Sequence, residues 1–397
     1  MENRFKEALN IKPIVKHVTE FDPIGEFAGI KAITYDGATI GNKKTKIFAY
    51  IGYPENCAEK SPGILLVHGG GGTPFLDWVK MWTDQGYVAM SMSTEGHFPL
   101  TKDAGTVIDS AKKDEYWHRG LYGIFEEEGY VDAPLKDNMQ NSYEECENQW
   151  MYHAVYEIIA AHNVLLNDSR TDPKRTGIMG VSWGGVITSL TIGYDSRFAF
   201  AIPVYGSGYL AESMGNLGEY FRSGRNPELW LAEKNFDEVK MPVLWQCKND
   251  DIPFSLNSNS KSYMKTKDNN SHTALSIVQG MRHSHAGATS QEEPYIFADS
   301  VCYKKQHIPK IYVDNNKLII DNPDNLDIIS LRAFYITEPM SYYTDEKNDH
   351  KIKQEWAFKN ISAIDDIPDC ACEYYVEAKV KIDFRECTTT SQLVIKK

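Results

Sequence analysis

The pentapeptide Gly180-Val181-Ser182-Trp183-Gly184 stands between two apolar runs, Gly177-Ile178-Met179 before it and Gly185-Val186-Ile187-Thr188 after it. A strand that turns abruptly into a helix brings its backbone so close to the helix that flanking positions have no room for a Cβ, and a serine at the apex projects its hydroxyl clear of the main chain. The pattern predicts a strand, a tight elbow and a helix, with Ser182 as the candidate nucleophile. Such a pentapeptide also arises by chance in glycine-bearing loops, so a second motif has to agree with it.

That second motif lies upstream. Pro62-Gly63-Ile64-Leu65-Leu66-Val67 reads as a buried strand and ends in His68-Gly69-Gly70-Gly71-Gly72-Thr73. Glycines there let backbone N–H groups approach an oxygen that turns negative during acyl transfer. The N–H groups of Gly70 and Trp183 are the expected oxyanion donors, with Gly71 as an alternative to Gly70. His68 is read as a residue that orders the loop rather than as a base.

On such a scaffold the remaining partners follow in the order serine, acid, histidine. Pro242-Val243-Leu244-Trp245-Gln246-Cys247 is the next apolar strand, and it leads into Lys248-Asn249-Asp250-Asp251-Ile252-Pro253. Asp250 is the expected acid and Asp251 the fallback, because a one-residue register shift is invisible in sequence. Thr273-Ala274-Leu275-Ser276-Ile277-Val278 is a further strand, followed by Gly280-Met281-Arg282-His283-Ser284-His285. A histidine on the loop after the last core strand is placed to act as general base. His283 is preferred, and His285 is assigned to shaping the substrate pocket. A zinc reading of His283-x-His285 lacks the acid or cysteine cluster that would complete a ligand set, and no metal or organic cofactor is expected.

With these residues in view the chain resembles the α/β-hydrolase superfamily, and within it the bacterial acetyl xylan esterase and dienelactone-hydrolase-like branch. The likeness spans about residues 40 to 305. It rests on the two glycine motifs, on Asp172-Pro173 ahead of the elbow, on Asp195-Ser196-Arg197-Phe198, on Lys248-Asn249-Asp250, and on His283-Ser284-His285 followed by Pro294-Tyr295-Ile296-Phe297-Ala298-Asp299-Ser300. Lys248 stands where a small turn residue would be expected, which keeps the acid's register open. The resemblance implies a serine carboxylic-ester hydrolase that removes acetyl or another short acyl group from carbohydrate. A serine peptidase on the same fold, and a carbohydrate-binding protein without turnover, are the alternatives, since one fold serves many chemistries.

Composition sets outer bounds. A length of 397 residues with 42% hydrophobic residues suffices for a large domain and a smaller one. A net charge of −13 argues against nucleic acid or an anionic membrane as partner, both of which demand a basic surface. No stretch has the apolar length of a membrane span and the first residues carry no apolar signal core. Seven cysteines at irregular spacing argue against a disulfide framework. A cytoplasmic protein acting on a small-molecule or oligosaccharide ester is the resulting expectation, with homo-oligomerisation left open.

Residues 1–30 read as an N-terminal arm, 31–305 as the α/β catalytic domain and 306–397 as a small C-terminal β-sandwich. Within the catalytic domain, residues 31–53 suggest two strands about a turn at Asp36-Gly37, and Glu144 to Leu166 a long helix with Met151, Val155, Ile158, Ile159 and Ala161 at helical spacing. Residues 99–141 lack periodicity and read as an insertion or lid, in which Trp117 and Tyr116 are candidate sugar-stacking faces. In the C-terminal part, Val376, Ala378, Val380, Ile382 and Phe384 alternate with charged residues, as a half-buried antiparallel strand requires.

Overall fold

The structure is a computed structural model, which describes residues 3–55, 60–70, 72–95, 97–99, 122–124, 130–131, 134, 142–344 and 350–396. Trp117 and Tyr116, and most of the 99–141 insertion, lie outside the described residues.

In chain order the first strands are Val15–His17 (β1), Lys31–Ile40 (β2), Lys43–Gly52 (β3), Ser61–Val67 (β4), Val88–Met92 (β5), His97–Pro99 (β6), Tyr122–Ile124 (β7) and Tyr130–Val131 (β8). Thr171–Val181 (β9), Phe200–Val204 (β10), Leu244–Lys248 (β11) and Ala274–Val278 (β12) follow. Among the described residues, one large sheet runs in the order β1-β2-β3-β5-β4-β9-β10-β11-β12, with β8 also on β3. From β5 to β12 every neighbour is parallel, whereas β1, β2, β3 and β5 pair antiparallel. This is the α/β-hydrolase fold expected from the sequence. The apolar runs of β4, β5 and β10 reflect it directly, because a parallel strand is covered on both faces.

Helix Trp150–Asn167 is buried over almost its whole length, as expected of a helix without a broad polar face. It packs beside Trp183–Thr191 on one side of the sheet. Leu76–Asp84 and Glu293–Cys302 meet on the other, where Trp82 and Tyr295 have ring centroids 4.7 Å apart. The N-terminal arm is anchored rather than loose. Phe5 is fully buried against Tyr152 and Tyr194, and Arg197 donates both to the Leu9 carbonyl and to Asp195. Buried Asp195 also takes a hydrogen bond from His162. Burial alone would raise its pKa, but Arg197 and His162 override that and hold the carboxyl well below the usual range.

The turn expected at Asp36-Gly37 lies elsewhere. β2 continues through both residues to Ile40, the chain reverses at Gly41, where φ is 63°, and the β2–β3 register shifts between Asp36 and Thr39. Asp-Gly marks a bulge, the other backbone irregularity that such a dipeptide tolerates.

Beyond residue 305 the strands are Lys310–Asp314 (β13), Lys317–Asp321 (β14), Ile328–Ile336 (β15), Tyr342–Thr344 (β16), His350–Ile352 (β17), Ala357–Asn360 (β18), Glu373–Ile382 (β19), Arg385–Thr390 (β20) and Val394–Ile395 (β21). An antiparallel sheet runs β18-β15-β19-β20 with β21 on β19, and β13 and β14 form a hairpin. Val313 of the hairpin joins Ala333, Tyr374 and Val376 of the sheet in a small core of their own. The alternation ends one residue pair earlier than the sequence suggested: Phe384 follows Asp383 in the turn, where φ is 56°, and is exposed.

This C-terminal sheet closes the open edge of the large one. Thr390 Oγ accepts the Ile277 N–H at 3.2 Å and donates to the Leu275 carbonyl at 3.3 Å, so a hydroxyl replaces a neighbouring strand along β12. Tyr375 and Phe334 belong to the same continuous core as the large sheet. The opposite edge, β1, is only three residues long, exposed, and carries Lys16, a short charged edge that discourages further pairing.

Candidate active site

The strand order determines where a site can form. From β4 the chain moves to β5 on one side, and β9 lies on the other, so the order reverses between β4 and β9. At such a switch point the loops after neighbouring strands diverge and leave a crevice at the strands' carboxyl ends. His68 follows β4, Ser182 follows β9, Asp251 follows β11 and His283 follows β12.

Ser182 has φ 57° and ψ −120°, a region that side-chain-bearing residues occupy only under external constraint. The constraint is visible in its neighbours. A Cβ on Gly180 would stand 2.1 Å from the Gly184 carbonyl oxygen, and one on Gly184 would stand 2.1 Å from that of Val67. The Ser182 N–H donates to the Val204 carbonyl at 2.8 Å. Trp183 then opens the helix, whose first-turn N–H groups point toward its N-terminal end.

Ser182 Oγ lies 2.9 Å from His283 Nε2, and His283 Nδ1 lies 2.6 Å from Asp251 Oδ2. An ionised carboxylate only accepts, so Nδ1 carries the proton and Nε2 presents its lone pair to the serine hydroxyl. Asp251 is buried, and its Oδ1 accepts the Phe254 N–H at 3.2 Å. The sequence choice of Asp250 is therefore corrected in favour of Asp251. β11 runs one residue further than expected, to Lys248, and the turn after it exposes Asp250, which pairs with Lys248 at 3.1 Å.

Two aromatic residues that sequence reasoning did not single out hold the imidazole. Tyr205 stacks on His283 with centroids 4.4 Å apart, and Phe254 stacks at 5.4 Å. The Tyr205 hydroxyl donates to the Arg282 carbonyl, next to His283 in the chain. Burial first and the nearby Asp251 carboxylate second push the Tyr205 phenol far up, so it remains a donor. Its place immediately after β10, at the carboxyl end of a central strand, is the signal that would have found it.

The loop after β4 holds its shape through buried His68, whose Nδ1 donates to the Gly69 carbonyl at 2.8 Å while Nε2 accepts the Thr94 N–H at 3.2 Å. Both ring nitrogens are thus committed to structure. Gly70 follows on this loop and Gly71 lies outside the described residues. Gly69 approaches the nucleophile closely: a Cβ there would meet that of Ser182 at 3.1 Å. His285 Nε2 accepts the Gly69 N–H at 2.9 Å. Around Trp183, the buried rings of Trp150, Tyr220 and Phe221 stand at centroid distances of 5.5, 5.6 and 6.1 Å, a packed aromatic cluster next to the serine.

A serine, an imidazole and a buried carboxylate in this linear array can transfer the serine proton to Nε2 and stabilise the resulting imidazolium. No helix among the described residues is long and apolar enough to cross a membrane.

Comparison with known families agrees with the fold. The family profile described as acetyl xylan esterase (AXE1) matches residues 11–212, just over half of the chain. The profile of the prolyl oligopeptidase family matches residues 137–308. No curated protein matches the chain. Among solved structures, acetyl xylan esterase 1 from Thermoanaerobacterium sp. is 15% identical with a TM-score of 0.47, the match covering 69% of this chain and 84% of that one. The acetyl xylan esterase from Paenibacillus sp. R4 is 17% identical with a TM-score of 0.46 and the same coverage, 69% and 84%. The acylaminoacyl peptidase of Pyrococcus horikoshii is 15% identical with a TM-score of 0.46, covering 70% of this chain and 43% of that one.

Proposed function

Because the chain belongs to the acetyl xylan esterase family and is a serine hydrolase, we propose that it removes acetyl or another short acyl group from carbohydrate. Ser182 attacks the ester carbonyl, His283 takes its proton and returns it to the departing sugar hydroxyl, and Asp251 holds the imidazole in the productive tautomer. Backbone N–H groups of Gly70 and Trp183 receive the oxyanion. Water then attacks the acyl-enzyme with the same base, which releases acetate and restores the serine. The observation that carries the reading is the hydrogen-bonded chain from Ser182 through His283 to Asp251.

A second reading has its own support. The prolyl oligopeptidase profile covers residues 137–308, which include Ser182, Asp251 and His283, whereas the esterase profile ends at 212, after the serine alone. Cleavage of an aminoacyl or peptidyl amide is the corresponding alternative activity.

One comparison tests both. Hydrolysis of 4-nitrophenyl acetate, acetylated xylo-oligosaccharide and an aminoacyl-4-nitroanilide is measured with the wild type and with Ser182→Ala. The expected result is serine-dependent acetate release from both esters and little anilide cleavage. Serine-dependent anilide cleavage without action on the oligosaccharide selects the peptidase reading. Turnover that survives in Ser182→Ala overturns both.

A further inference from the structure

The proposed mechanism assigns no step to His285, and the role inferred for this residue rests on that mechanism. His285 begins helix His285–Thr289, capped by Ser284, whose Oγ accepts the Gly287 N–H at 3.0 Å. Its ring is wedged edge-on against Phe75, with centroids 4.5 Å apart, and Trp78, at 5.4 Å. Because Nε2 accepts from the Gly69 N–H, the ring holds its proton on Nδ1.

Gly69 is gripped from its other side as well. Its carbonyl accepts from His68 Nδ1 at 2.8 Å and from the Gly72 N–H at 2.9 Å. In a trans peptide the C=O and N–H point in opposite directions, so a clamp on the Gly69 carbonyl sets the direction of the Gly70 N–H. Rotation about Gly69 itself remains, and glycine has no Cβ to limit it. The bond from the Gly69 N–H to His285 removes that freedom.

We propose that His285 is a positioning residue: through the Gly69 N–H it holds the Gly70 amide in the direction an oxyanion donor requires, and it ties that donor's loop to the loop that carries His283. The base stands only two residues away, so the bond fixes the distance between proton acceptor and oxyanion donor. Errors of about 1 Å in such an arrangement reduce turnover on the order of a hundredfold.

The side-chain amide of glutamine reaches about where Nε2 stands, whereas that of asparagine reaches only about where Nδ1 stands. This separates the proposed role from mere packing. Measurements of kcat and KM for 4-nitrophenyl acetate compare the wild type with His285→Gln, His285→Asn and His285→Leu, with Ser182→Ala as the blank. The expected result is a kcat lowered roughly ten- to a hundredfold in the asparagine and leucine variants, with KM within about twofold and kcat recovered to within about threefold in the glutamine variant. An undiminished kcat in His285→Leu, or rescue by asparagine instead of glutamine, overturns the proposal. If the leucine variant does not fold, the contrast between glutamine and asparagine decides alone. Wild-type turnover that persists in Ser182→Ala would instead remove the mechanism beneath the proposal, and the blank distinguishes the two failures.

Discussion

Two hydroxyl residues, one at the end of a strand of the large sheet and one at the end of a strand of the C-terminal sheet, show how differently one functional group is used. Ser182, at the end of β9, sits on a left-handed backbone that only crowding by strand and helix maintains, and its hydroxyl faces a histidine. Thr390, at the end of β20, has its hydroxyl laid along β12, where it exchanges hydrogen bonds with Ile277 and Leu275 in place of a further strand. The first region spends conformational energy to expose a reactive atom, and the second uses a hydroxyl to satisfy backbone groups that would otherwise be costly to bury. Chemistry and stability are thus assigned to different hydroxyl residues.

If that division holds, Ser182→Ala should lower ester turnover by about four orders of magnitude or more while leaving the urea unfolding midpoint nearly unchanged. A marked fall in stability would break the comparison, since Ser182 would then also be structural. Next in size is the acid. Asp251→Asn should reduce kcat about 10⁴-fold, because the amide favours the wrong tautomer of His283, whereas Asp250→Asn should stay within about twofold, as expected for an exposed ion pair. Equal losses in the two variants would return the acid to either position.

For the second hydroxyl, Thr390→Val keeps the shape but leaves the Ile277 N–H without its acceptor. A loss of about 1–3 kcal/mol in urea unfolding is expected, with kcat unchanged below the melting range. The smallest effect sharpens the comparison most. Ser182→Gly should raise stability by about 1 kcal/mol, since glycine adopts φ 57° without strain, while abolishing turnover. No gain in stability would mean that the elbow is not strained.

How much of this was readable in the chain depends on whether a feature is local. The elbow and the loop after β4 were identified by position because each packs its glycines into a few consecutive residues, even though some of them answer to distant backbone, as Gly184 does to Val67. The parallel strands announce themselves as apolar runs and β19 as an alternation, because burial on two faces or on one imprints itself on the residue order. The acid was missed by one residue because two adjacent aspartates differ only in which way the turn after β11 faces. The clue was downstream: Asp251 accepts the Phe254 N–H across Ile252-Pro253, as a capping aspartate accepts an N–H three residues on. Asp36-Gly37 was read as a turn because the dipeptide favours one, yet the β2–β3 pairing carried the strand past it. Tyr205, His285 and Thr390 act on partners 77, 216 and 113 residues away, and contacts at that separation leave no mark in sequence spacing.

The edge closed by Thr390 also has a history in time. Ile277 and Thr390 are 113 residues apart, so at ribosomal rates the strand that precedes His283 waits roughly 6 to 20 seconds for the residues that seal it. During that interval a nascent chain already holds the serine and the histidine, but shows a bare, apolar strand edge of the kind that recruits other chains. The C-terminal sheet is therefore a time-delayed lock: synthesis of the reactive residues and protection of the sheet that carries them are separate events, and the second comes last.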